Sequence, residues 1–482
     1  MKRENIYKNY IFNTAYQIFI LIIPLITMPY ISRCFGAAKI GEYSYAESIA
    51  AIFVSIAPIG TVAYGRREIS YHQGNREQQT KIFWNVLSLK ILSSLVCCLI
   101  YMVYLHFYKF NIIQVIMIIN IVSTVFDVSW LFQGVEDFKL IAARNFIVKF
   151  VMICFIFTFI HGQKDFYLYV LIMCGSTFLG NISIFTRLKI YVDKPVIKEV
   201  NPFENFKTVL SLFLPTVALT VAAMLDKPII GWLTDDYSQS GYYDQSQKII
   251  SVLMLFITSM ATVTTARVGY HFERKELNKI YEYMYRNYRF VTLIAIPMCL
   301  GITAVAHLLI PIYLGNGYEG AIPVISILGF TILAVGINNV TGVQYLIPTK
   351  KQTIFTKSII VGMFFNFTLD VLLVPHFGAC GAVFATVVAE IMINVVQLIT
   401  IRNEISFFRI VKQAKNYVMA GIFMFAVILV IDKFALDNQW KLIIMVSVGI
   451  VVYSSILIIV KDEFVMNYLK VLDRKIKEYI AK

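Results

Sequence analysis

Charged residues are scarce in this sequence. Only 15% of its 482 residues are Asp, Glu, Lys or Arg, whereas 58% are hydrophobic. A soluble globular domain carries about 25% charged residues, so the composition excludes a chain made mainly of such domains. Apolar stretches of about 20 residues recur along nearly the whole length, and each is long enough to cross a bilayer as a helix. The composition therefore predicts an all-α integral membrane protein.

The sequence also lacks the residue patterns of catalytic and metal sites. The seven cysteines lie in or at the ends of apolar segments, and neither they nor the six histidines have the spacing of metal ligands. No Ser/His/Asp set, phosphate-binding glycine loop or paired-carboxylate motif occurs at a suitable position. We therefore expect no catalytic residue, no metal, no cofactor and no enzymatic activity.

Hydropathy, charge and the positions of Pro and Gly predict fourteen membrane-spanning helices. The basic start MKRENIYK leads into the first of them. That segment contains Pro24 and Pro29 and no small-residue cleavage site, so it is predicted to be a span and not a removed signal. The predicted spans are 11–32, 43–64, 82–105, 112–132, 145–160, 166–186, 209–233, 243–266, 290–311, 320–345, 354–374, 379–400, 417–432 and 440–460.

Lys and Arg are distributed unevenly between the loops on the two sides of these spans. If both termini are cytoplasmic, the inner segments hold most of the 43 Lys and Arg residues. Positive residues concentrate on the cytoplasmic side of membrane proteins. The pattern therefore predicts two cytoplasmic termini and an even number of spans. The net charge of +14 then belongs to a cytoplasmic membrane face, and no nucleic-acid partner is expected.

A short internal repeat suggests how the spans are grouped. GEYSYAESI at 41–49 and GYYDQSQKI at 241–249 share Gly, Tyr and Ile at matching positions. Because transporters are often built from two related bundles, we predict two six-helix lobes, 1–200 and 201–402. Residues 403–482 would add a helix pair and an amphipathic helix, for which a charged solvated tail is the alternative. The apolar stripe of that helix would contain Phe464, Tyr468, Leu472, Ile476 and Tyr479.

Several ionisable side chains fall inside the predicted spans. A charged group at the bilayer centre costs roughly 2.5–3.5 kcal/mol on insertion scales, so each one indicates a wet cavity or a partner. Five of the nine candidates, counted with the two residues just after the first span, are basic, which favours a hydrated cleft that binds an anion. The candidates are Lys90, Asp127, Asp226, Lys227, Lys248, Asp370 and Glu390, with Arg33 and Lys39 just after the first span.

Other roles remain open for the basic residues in this set. Asp226 and Lys227 are adjacent and point about 100° apart on a helix, so they cannot pair well with each other. An ion pair to a neighbouring helix is the alternative to a cavity position for Lys227. Lys90 and Lys248 lie near enough to an interface to snorkel to it.

The acidic residues have alternatives of their own. Asp127 and Asp370 are predicted to lie toward span ends, where solvation is easy. Asp226 and Glu390 are candidates for ion coupling during transport. A structural hydrogen bond explains Glu390 equally well.

Five stretches resemble the polysaccharide transporter family of the MOP (multidrug/oligosaccharidyl-lipid/polysaccharide) exporter superfamily, the Wzx-type flippases of lipid-linked oligosaccharide repeat units. They run through most of the chain in the order expected for that family. The stretches are IIPLITMPYISRCFGAAKIGEYSYAESI at 22–49, APIGTVAYGRREIS at 57–70, WLFQGVEDFKLIAARNFIVK at 130–149, LDKPIIGWLTDDYSQSGYYDQSQKII at 225–250 and VPHFGACGAVFATVVAE at 374–390.

This resemblance implies a MATE-like fold in which two six-helix lobes enclose a central cavity and rock in alternating access. It implies that undecaprenyl diphosphate carrying a short oligosaccharide moves from the inner to the outer leaflet of the bacterial plasma membrane, for capsule, exopolysaccharide or O-antigen synthesis. Membrane lipid and the polymerase and assembly proteins of such a pathway are the implied partners. Related flippases carry an arginine in an R-x-x-G-like stretch of the first helix. Arg33 in SRCFG matches that arginine, and Lys39 stands where a second basic residue can occur.

The residues and the resemblance together give one hypothesis for the site. A hydrated cleft would bind the diphosphate through basic side chains and the sugar hydroxyls through amides, while the lipid tail stays in the bilayer. The predicted diphosphate-binding residues are Arg33, Lys39, Lys90, Lys227 and Lys248. The predicted sugar contacts are Gln17, Asn338, Asn339 and Gln344.

Two other functions fit the sequence less well. A MATE-like drug/cation antiporter would favour acidic groups in its cavity, whereas five of the nine candidate residues above are basic. A membrane polysaccharide polymerase needs a substantial outer loop for its chemistry, and every outer loop predicted here is short.

Overall fold

A computed structural model describes most of the chain. The described residues are 3–107, 111–259, 261–435 and 437–467. Within them the chain is helical and contains no β-strand. The chain divides into two compact units, Met1–Gly241 and Tyr242–Lys482. The predicted lobe boundaries at residues 200 and 402 remain predictions.

Long helices form the first unit. Its helices are α1 (Arg3–Ile56), α2 (Thr61–Tyr71), α3 (Arg76–Phe107), α4 (Ile112–Phe126), α5 (Ser129–Gly134), α6 (Phe138–Phe159), α7 (Phe166–Ser183), α8 (Phe206–Met224) and α9 (Asp226–Thr234). A further helix, α10 (Tyr237–Thr258), begins in this unit and continues into the second. Buried residues of α1, α4, α6 and α7 form one core. That core includes Phe35, Tyr43, Met117, Met152 and Cys174.

The second unit is also built from long helices. Its helices are α11 (Ala261–Glu273), α12 (Leu277–Leu314), α13 (Ala321–Leu328), α14 (Thr331–Asn338), α15 (Gln352–Phe377), α16 (Ala379–Thr400), α17 (Phe407–Asp432) and α18 (Asn438–Ile459). A π-helical segment, Asn339–Leu346, continues α14. The helices α12, α17 and α18 pack around Tyr417, Met424 and Tyr453, and the hydroxyl of Tyr453 donates to the carbonyl of Leu293 at 2.8 Å.

Many of these helices can cross a membrane. Within the described residues, ten helical segments are long and apolar enough to do so. The number becomes eleven if Ile23–Ile56 and Thr61–Tyr71, which are bent by 43°, form one span. The protein is therefore an all-helical, multi-pass membrane protein, as its composition predicts. Fourteen spans remain a prediction.

The first predicted loop is helical in the structure. The sequence predicts spans 11–32 and 43–64 with a loop between them, but α1 continues through that segment and is interrupted at Gly36. This residue has φ +72° and ψ 173°, which glycine adopts without the steric penalty of a side chain. Because only Gly36 departs from helical geometry, the polar residues on either side of it remain helical.

Two predicted spans are broken in the middle. The span predicted at 112–132 is divided at Asp127 and Val128, between α4 and α5, and the span predicted at 209–233 is divided at Leu225, between α8 and α9. Ionisable residues lie at both breaks. Breaks leave backbone groups without intrahelical partners, so side chains nearby must satisfy them.

The predicted C-terminal amphipathic helix lies mostly beyond the described part of the chain. Phe464 belongs to a short helical segment that follows α18. Tyr468, Leu472, Ile476 and Tyr479 lie outside the described residues.

Candidate functional site

The close packing of α1 against α9 fixes where two predicted basic residues lie in the first unit. Gly231 of α9 faces Tyr45 of α1, and a Cβ on this glycine would lie 2.2 Å from the tyrosine ring. Gly41 of α1 faces the start of α10, where a Cβ would lie 1.6 Å from the carbonyl oxygen of Tyr237. A side chain at either glycine would collide with its neighbour. Residue 231 faces residue 45 and residue 237 faces residue 41, so the chain from α9 to the start of α10 runs antiparallel to α1.

This packing separates Arg33 from Lys227. Lys227 lies one turn before Gly231 and is therefore about level with Ile49 on α1, whereas Arg33 precedes the kink at Gly36. At about 1.5 Å per residue, Gly36 and Ile49 are about 20 Å apart along the helix. Arg33 is exposed and Lys227 is half-buried. The two side chains thus lie at different depths of the same unit.

Lys39 lies one turn beyond the kink and contacts its own helix. Its Nζ donates to the carboxylate of Glu42 at 2.9 Å and lies 5.0 Å from the ring centroid of Phe166. Since 42% of the Lys39 side chain is exposed, this ion pair contributes little to stability. An anionic ligand can therefore compete with Glu42 for the ammonium group at low cost.

Asp226 and Lys227 lie in the first turn of α9. The amide groups at the start of a helix favour a nearby carboxylate, which explains the position of Asp226. Pro228 is tolerated in this turn because its nitrogen needs no hydrogen-bond partner there. The break before α9 therefore explains how adjacent opposite charges are accommodated within a predicted span.

Lys90 belongs to a hydrogen-bond network at the break between α4 and α5. Its Nζ donates to the carbonyl oxygen of Asp127 at 2.6 Å, and only 1% of Lys90 is exposed. The hydroxyl of Ser129 donates to the carboxylate of Asp127, and Arg144 on α6 donates to that hydroxyl at 3.4 Å. Lys90 therefore satisfies a carbonyl group at the break. Its predicted contact with a substrate requires a conformation in which it is exposed.

A second polar cluster in the first unit is missed by sequence reasoning. The hydroxyl of Tyr43 donates to the carboxylate of Glu47 at 3.0 Å, and Lys149 on α6 lies within electrostatic reach of the same carboxylate. The predicted span 145–160 contains Lys149, but the sequence analysis does not name this residue among the candidates. Its position inside the apolar run FIVKFVMICF is the signal that could have identified it. Lys149 and Arg144 therefore join the basic residues that a site in this unit can use.

Lys248, in the second unit, forms an ion pair within α10. Its Nζ lies 2.6 Å from the carboxylate of Asp244, which is one turn earlier and fully buried, while 36% of the Lys248 side chain is exposed. A buried carboxylate needs a charged or hydrogen-bonding partner. Lys248 therefore serves at least to neutralise Asp244, and its role in substrate binding remains a prediction.

Two predicted functional residues of the second unit meet in an amide network. Asn338 donates to the carboxylate of Glu390 at 3.2 Å, and Gln397 donates to the side-chain oxygen of Asn338 at 2.9 Å. Gln397 also donates to the hydroxyl of Ser358 at 3.0 Å. The network joins α14, α15 and α16. Glu390 thus makes a structural hydrogen bond, which is the alternative role that the sequence analysis considers for it. Its role in ion coupling remains a prediction.

Asn339 and Gln344 meet in the π-helical segment. Gln344 donates to the side-chain oxygen of Asn339 at 3.0 Å and accepts from Asn287 of α12 at 2.7 Å, and it is 1% exposed. The amide of Gln344 therefore holds the segment against α12 in this conformation. Segments of π-helix are frequent at functional sites. The sugar contacts predicted at both residues remain predictions.

Two further predictions have different outcomes. Asp370 is predicted near a span end, where water would solvate it, and this is wrong because the residue is fully buried in α15. The error arises because the helix extends to Phe377, so Asp370 lies farther from its end than hydropathy indicates. The side chain of Gln17 lies outside the part of the chain whose side chains are described.

These observations define a class of protein. The chain is a multi-pass helical membrane protein whose helices carry basic, acidic and amide side chains in connected polar clusters. Within the described residues, no group of three or more Cys, His, Asp or Glu is arranged to hold a metal ion. Polar groups inside a membrane protein mark substrate and ion pathways, an arrangement typical of transporters.

The comparison with known families is more specific. The chain matches the family described as "Polysaccharide biosynthesis protein" over residues 6–265, more than half of its length, and it belongs to that family. A relative from Escherichia coli (strain K12), named "Putative O-antigen transporter", is 20% identical over 395 residues, which cover 79% of this chain and 93% of the relative. A protein of the same name from Shigella dysenteriae is 21% identical over 381 residues, with coverages of 77% and 94%.

Solved structures share the fold. The lipid II flippase MurJ, in an inward closed conformation, has a TM-score of 0.75 and 15% identity, with 94% of this chain and 99% of that chain covered. A multidrug resistance MATE family transporter of the MOP superfamily, in an inward-facing conformation, has a TM-score of 0.51 and 13% identity, with 82% and 99% covered. The family match and the relatives confirm the predicted resemblance to the Wzx-type polysaccharide transporter family, and they indicate a transporter. The solved structures show that the fold is shared.

Proposed function

We propose that this protein is a flippase that moves undecaprenyl-diphosphate-linked oligosaccharide from the inner to the outer leaflet of the bacterial plasma membrane. The observation that carries the proposal is that Arg33, just before the kink in α1, and Lys227, in the first turn of α9, belong to helices that pack closely together in the first unit. The family of polysaccharide biosynthesis proteins and the relatives named as O-antigen transporters support a polysaccharide precursor as the cargo. Capsule, exopolysaccharide or O-antigen synthesis would consume the product, with polymerase and assembly proteins as partners.

The head of such a lipid is the part that needs a route through the protein. Its polyprenyl tail is stable in hydrocarbon, whereas moving a diphosphate and several sugars out of water is costly unless polar partners replace the water. Basic side chains at successive depths supply those partners in turn. Arginine can bind a phosphate with two parallel hydrogen bonds, and lysine supplies a compact charge.

Lys39, Lys90 and Lys248 also belong to the proposed route. Each must first give up the contact that it makes in this structure, and these contacts differ in strength. Lys39 needs only to exchange Glu42 for the ligand. Lys90 must leave a buried hydrogen bond, so we propose that it acts in another conformation of the transport cycle. Sugar hydroxyls would be bound by Gln17, Asn338, Asn339 and Gln344. Asn338 and its partner Glu390 are half-buried, so a sugar can reach this pair without a large rearrangement.

The proposal includes the finer architecture. It has fourteen spans, two lobes at 1–200 and 201–402 that rock in alternating access, a C-terminal helix pair within 403–482, and both termini in the cytoplasm. The fold of MurJ and of the MATE transporter supports this arrangement. Asp226 and Glu390 are the proposed groups for coupling to an ion.

A drug/cation antiporter is the second candidate function. The specific observation in its favour is that carboxyl groups are buried on the helices, those of Asp244 and Asp370 completely, since acidic residues within membrane helices mark ion pathways. Uptake of cations by proteoliposomes under an imposed gradient, with no glycolipid present, would support it. Movement of the glycolipid, with no cation uptake when the glycolipid is absent, would favour the flippase.

The experiment that tests the proposed function replaces Lys227 with Ala in cells that depend on the protein for polymer export. Loss of one charge-assisted contact, about 1.5–3 kcal/mol, predicts a roughly ten- to hundredfold fall in export, while the lipid-linked glycan accumulates on the cytosolic leaflet. Lys164→Ala, at an exposed position in a short turn, is the matched control and should export normally. Normal export by Lys227→Ala at normal protein abundance would remove Lys227 from the route.

A further inference from the structure

A polar pocket lies apart from the residues of the proposed route. It occupies about 530 Å³ in the second unit, between the start of α12, the start of α17 and the residues that follow α18. All three segments lie on the side of the protein that the charge distribution predicts to be cytoplasmic. The pocket is therefore placed at the level of lipid headgroups.

Three guanidinium groups line this pocket. The guanidinium of Arg409 lies 4.1 Å from the ring centroid of Tyr285, and the hydroxyl of Tyr285 is itself held by the amide of Ser406 at 2.9 Å. Arg286 is exposed in the pocket wall and makes no hydrogen bond or ion pair with the described residues. Two arginines thus present donors to whatever fills the pocket.

The third arginine is shared with the protein. Arg289 lies 3.4 Å from both the hydroxyl of Tyr417 and the carboxylate of Asp462, and 3.5 Å from the carboxylate of Glu463. These contacts are long for charge-assisted hydrogen bonds, which are about 2.7–2.9 Å. Arg289 therefore holds the residues that follow α18 in place. Because no carboxylate lies at close range, its charge also adds positive potential to the pocket.

The pocket also offers acceptors for hydrogen bonds. The side-chain oxygen of Gln413 is buried and, among the described residues, has no donor. Glu282 lines the same wall. A buried acceptor without a donor is costly, so a ligand that supplies a hydroxyl donor beside its anion is favoured, and the excess of guanidinium groups over carboxylates in the wall disfavours an ammonium group.

Exposed apolar side chains adjoin the pocket. Phe407 and Phe408 immediately precede Arg409 and are 58% and 77% exposed. Aromatic residues in such positions lie among acyl chains just below the headgroups. The chain beyond Asn467, another residue of the pocket wall, continues as the basic sequence YLKVLDRKIKEYIAK, which lies outside the described residues. Both features favour a ligand that belongs to an anionic membrane.

We propose that this pocket binds the headgroup of an anionic phospholipid of the phosphatidylglycerol type. Its phosphate lies between Arg286 and Arg409, its headgroup hydroxyls donate to Gln413, and its acyl chains lie along Phe407 and Phe408. The site is distinct from the proposed translocation route and does not depend on it, because the ligand is a resident lipid that is not carried across the membrane.

The test measures lipid binding to the purified full-length protein in neutral detergent by native mass spectrometry. The probes are phosphatidylglycerol, phosphatidylethanolamine and inorganic phosphate. We expect saturable binding of phosphatidylglycerol, weaker binding of phosphatidylethanolamine and no displacement by phosphate. Equal binding of the two lipids would overturn the requirement for a headgroup with net negative charge, and displacement of phosphatidylglycerol by inorganic phosphate would assign the pocket to a soluble anion instead.

The variants distinguish this pocket from general surface charge. Arg286→Gln and Arg409→Gln should each weaken phosphatidylglycerol binding roughly tenfold or more, because each removes a charge-assisted hydrogen bond to phosphate. Lys357→Gln removes an exposed positive charge of the same unit outside the pocket and should bind as the wild type does. Wild-type affinity in both arginine variants would overturn the proposal. Should either glutamine variant be poorly folded, Arg409→Lys keeps the charge but loses the planar fork, and it should bind several-fold more weakly.

Discussion

The replacement of Gly41 by Ala tests the packing that sets the depths of Arg33 and Lys227. A Cβ at this position would lie 1.6 Å from the carbonyl oxygen of Tyr237, whereas real Cβ atoms keep at least 3.0 Å from such atoms. Backbone cannot move aside as a flexible side chain does, so α1 and the start of α10 must separate. Overpacking of this kind costs about 1–3 kcal/mol. The separation also changes the register between α1 and α9 on which the proposed route depends.

Thermal unfolding and polymer export together measure the effect of Gly41→Ala. In a unit of this size, each kcal/mol lowers Tm by about 2–4 °C, and export should fall because Lys227 moves relative to Arg33. Gly175→Ala in α7 is the matched control, since a Cβ there meets nothing within 4 Å and should leave stability unchanged or slightly increased. If Gly41→Ala unfolds at the same temperature as Gly175→Ala and exports polymer normally, the inferred close packing is wrong.

Two other predictions concern polar contacts away from the proposed route. Asp193 lies outside the predicted spans, and the Arg76 guanidinium, 2.7 Å away, holds the pKa of its carboxyl below the usual value. The ion pair should therefore stabilise the protein above about pH 4, and this stabilisation should be lost as the pH falls further. The stability difference between wild type and Asp193→Asn, measured against pH, should therefore shrink on acidification, and a difference that persists at low pH would exclude this pair as its cause. Tyr288→Phe removes the 2.8 Å hydrogen bond to Thr341 and should cost about 0.5–1.5 kcal/mol in unfolding. Thr341→Val should cost less in that background than in the wild type, because only the bond of its hydroxyl to the Ile337 carbonyl is then left to lose. Fully additive losses would show that the two hydroxyls act separately.

The helices themselves are readable from the sequence where an apolar run ends at a clear signal. The span predicted at 379–400 has the bounds of α16 because Gly378 adopts φ +56° at the turn that precedes it. Such a conformation favours glycine, and the sequence therefore marks the turn directly. The spans predicted at 82–105 and 166–186 correspond to α3 and α7 for a related reason, since each is a mainly apolar run that contains no proline.

Kinks and breaks are harder to predict because hydropathy averages over many residues. The loop expected at 33–42 is a one-residue kink at Gly36, and the polar residues around it are accommodated by packing against other helices. The burial of Asp370 is a similar case. Whether a residue near the end of an apolar run meets water depends on how far the helix continues and on which helices cover it, and neither is a local property of the sequence.

Partners of polar residues are the least predictable part of the site. The sequence identifies Lys90 as unusual, but its acceptor is a backbone carbonyl at Asp127 that becomes available because α4 ends there. No pattern around Lys90 itself contains that information. The connection from Asp127 through Ser129 to Arg144 likewise joins residues from different helices, so it emerges only when those helices are placed together.

The most direct test of the account is flipping of fluorescent undecaprenyl-diphosphate oligosaccharide in proteoliposomes, compared with a neutral glycolipid that carries the same sugars. We predict that Arg33→Gln and Lys227→Gln each slow the diphosphate lipid roughly tenfold or more and leave any movement of the neutral lipid unchanged. Wild-type rates for the diphosphate lipid in both variants, or equal slowing of the two lipids, would contradict the account.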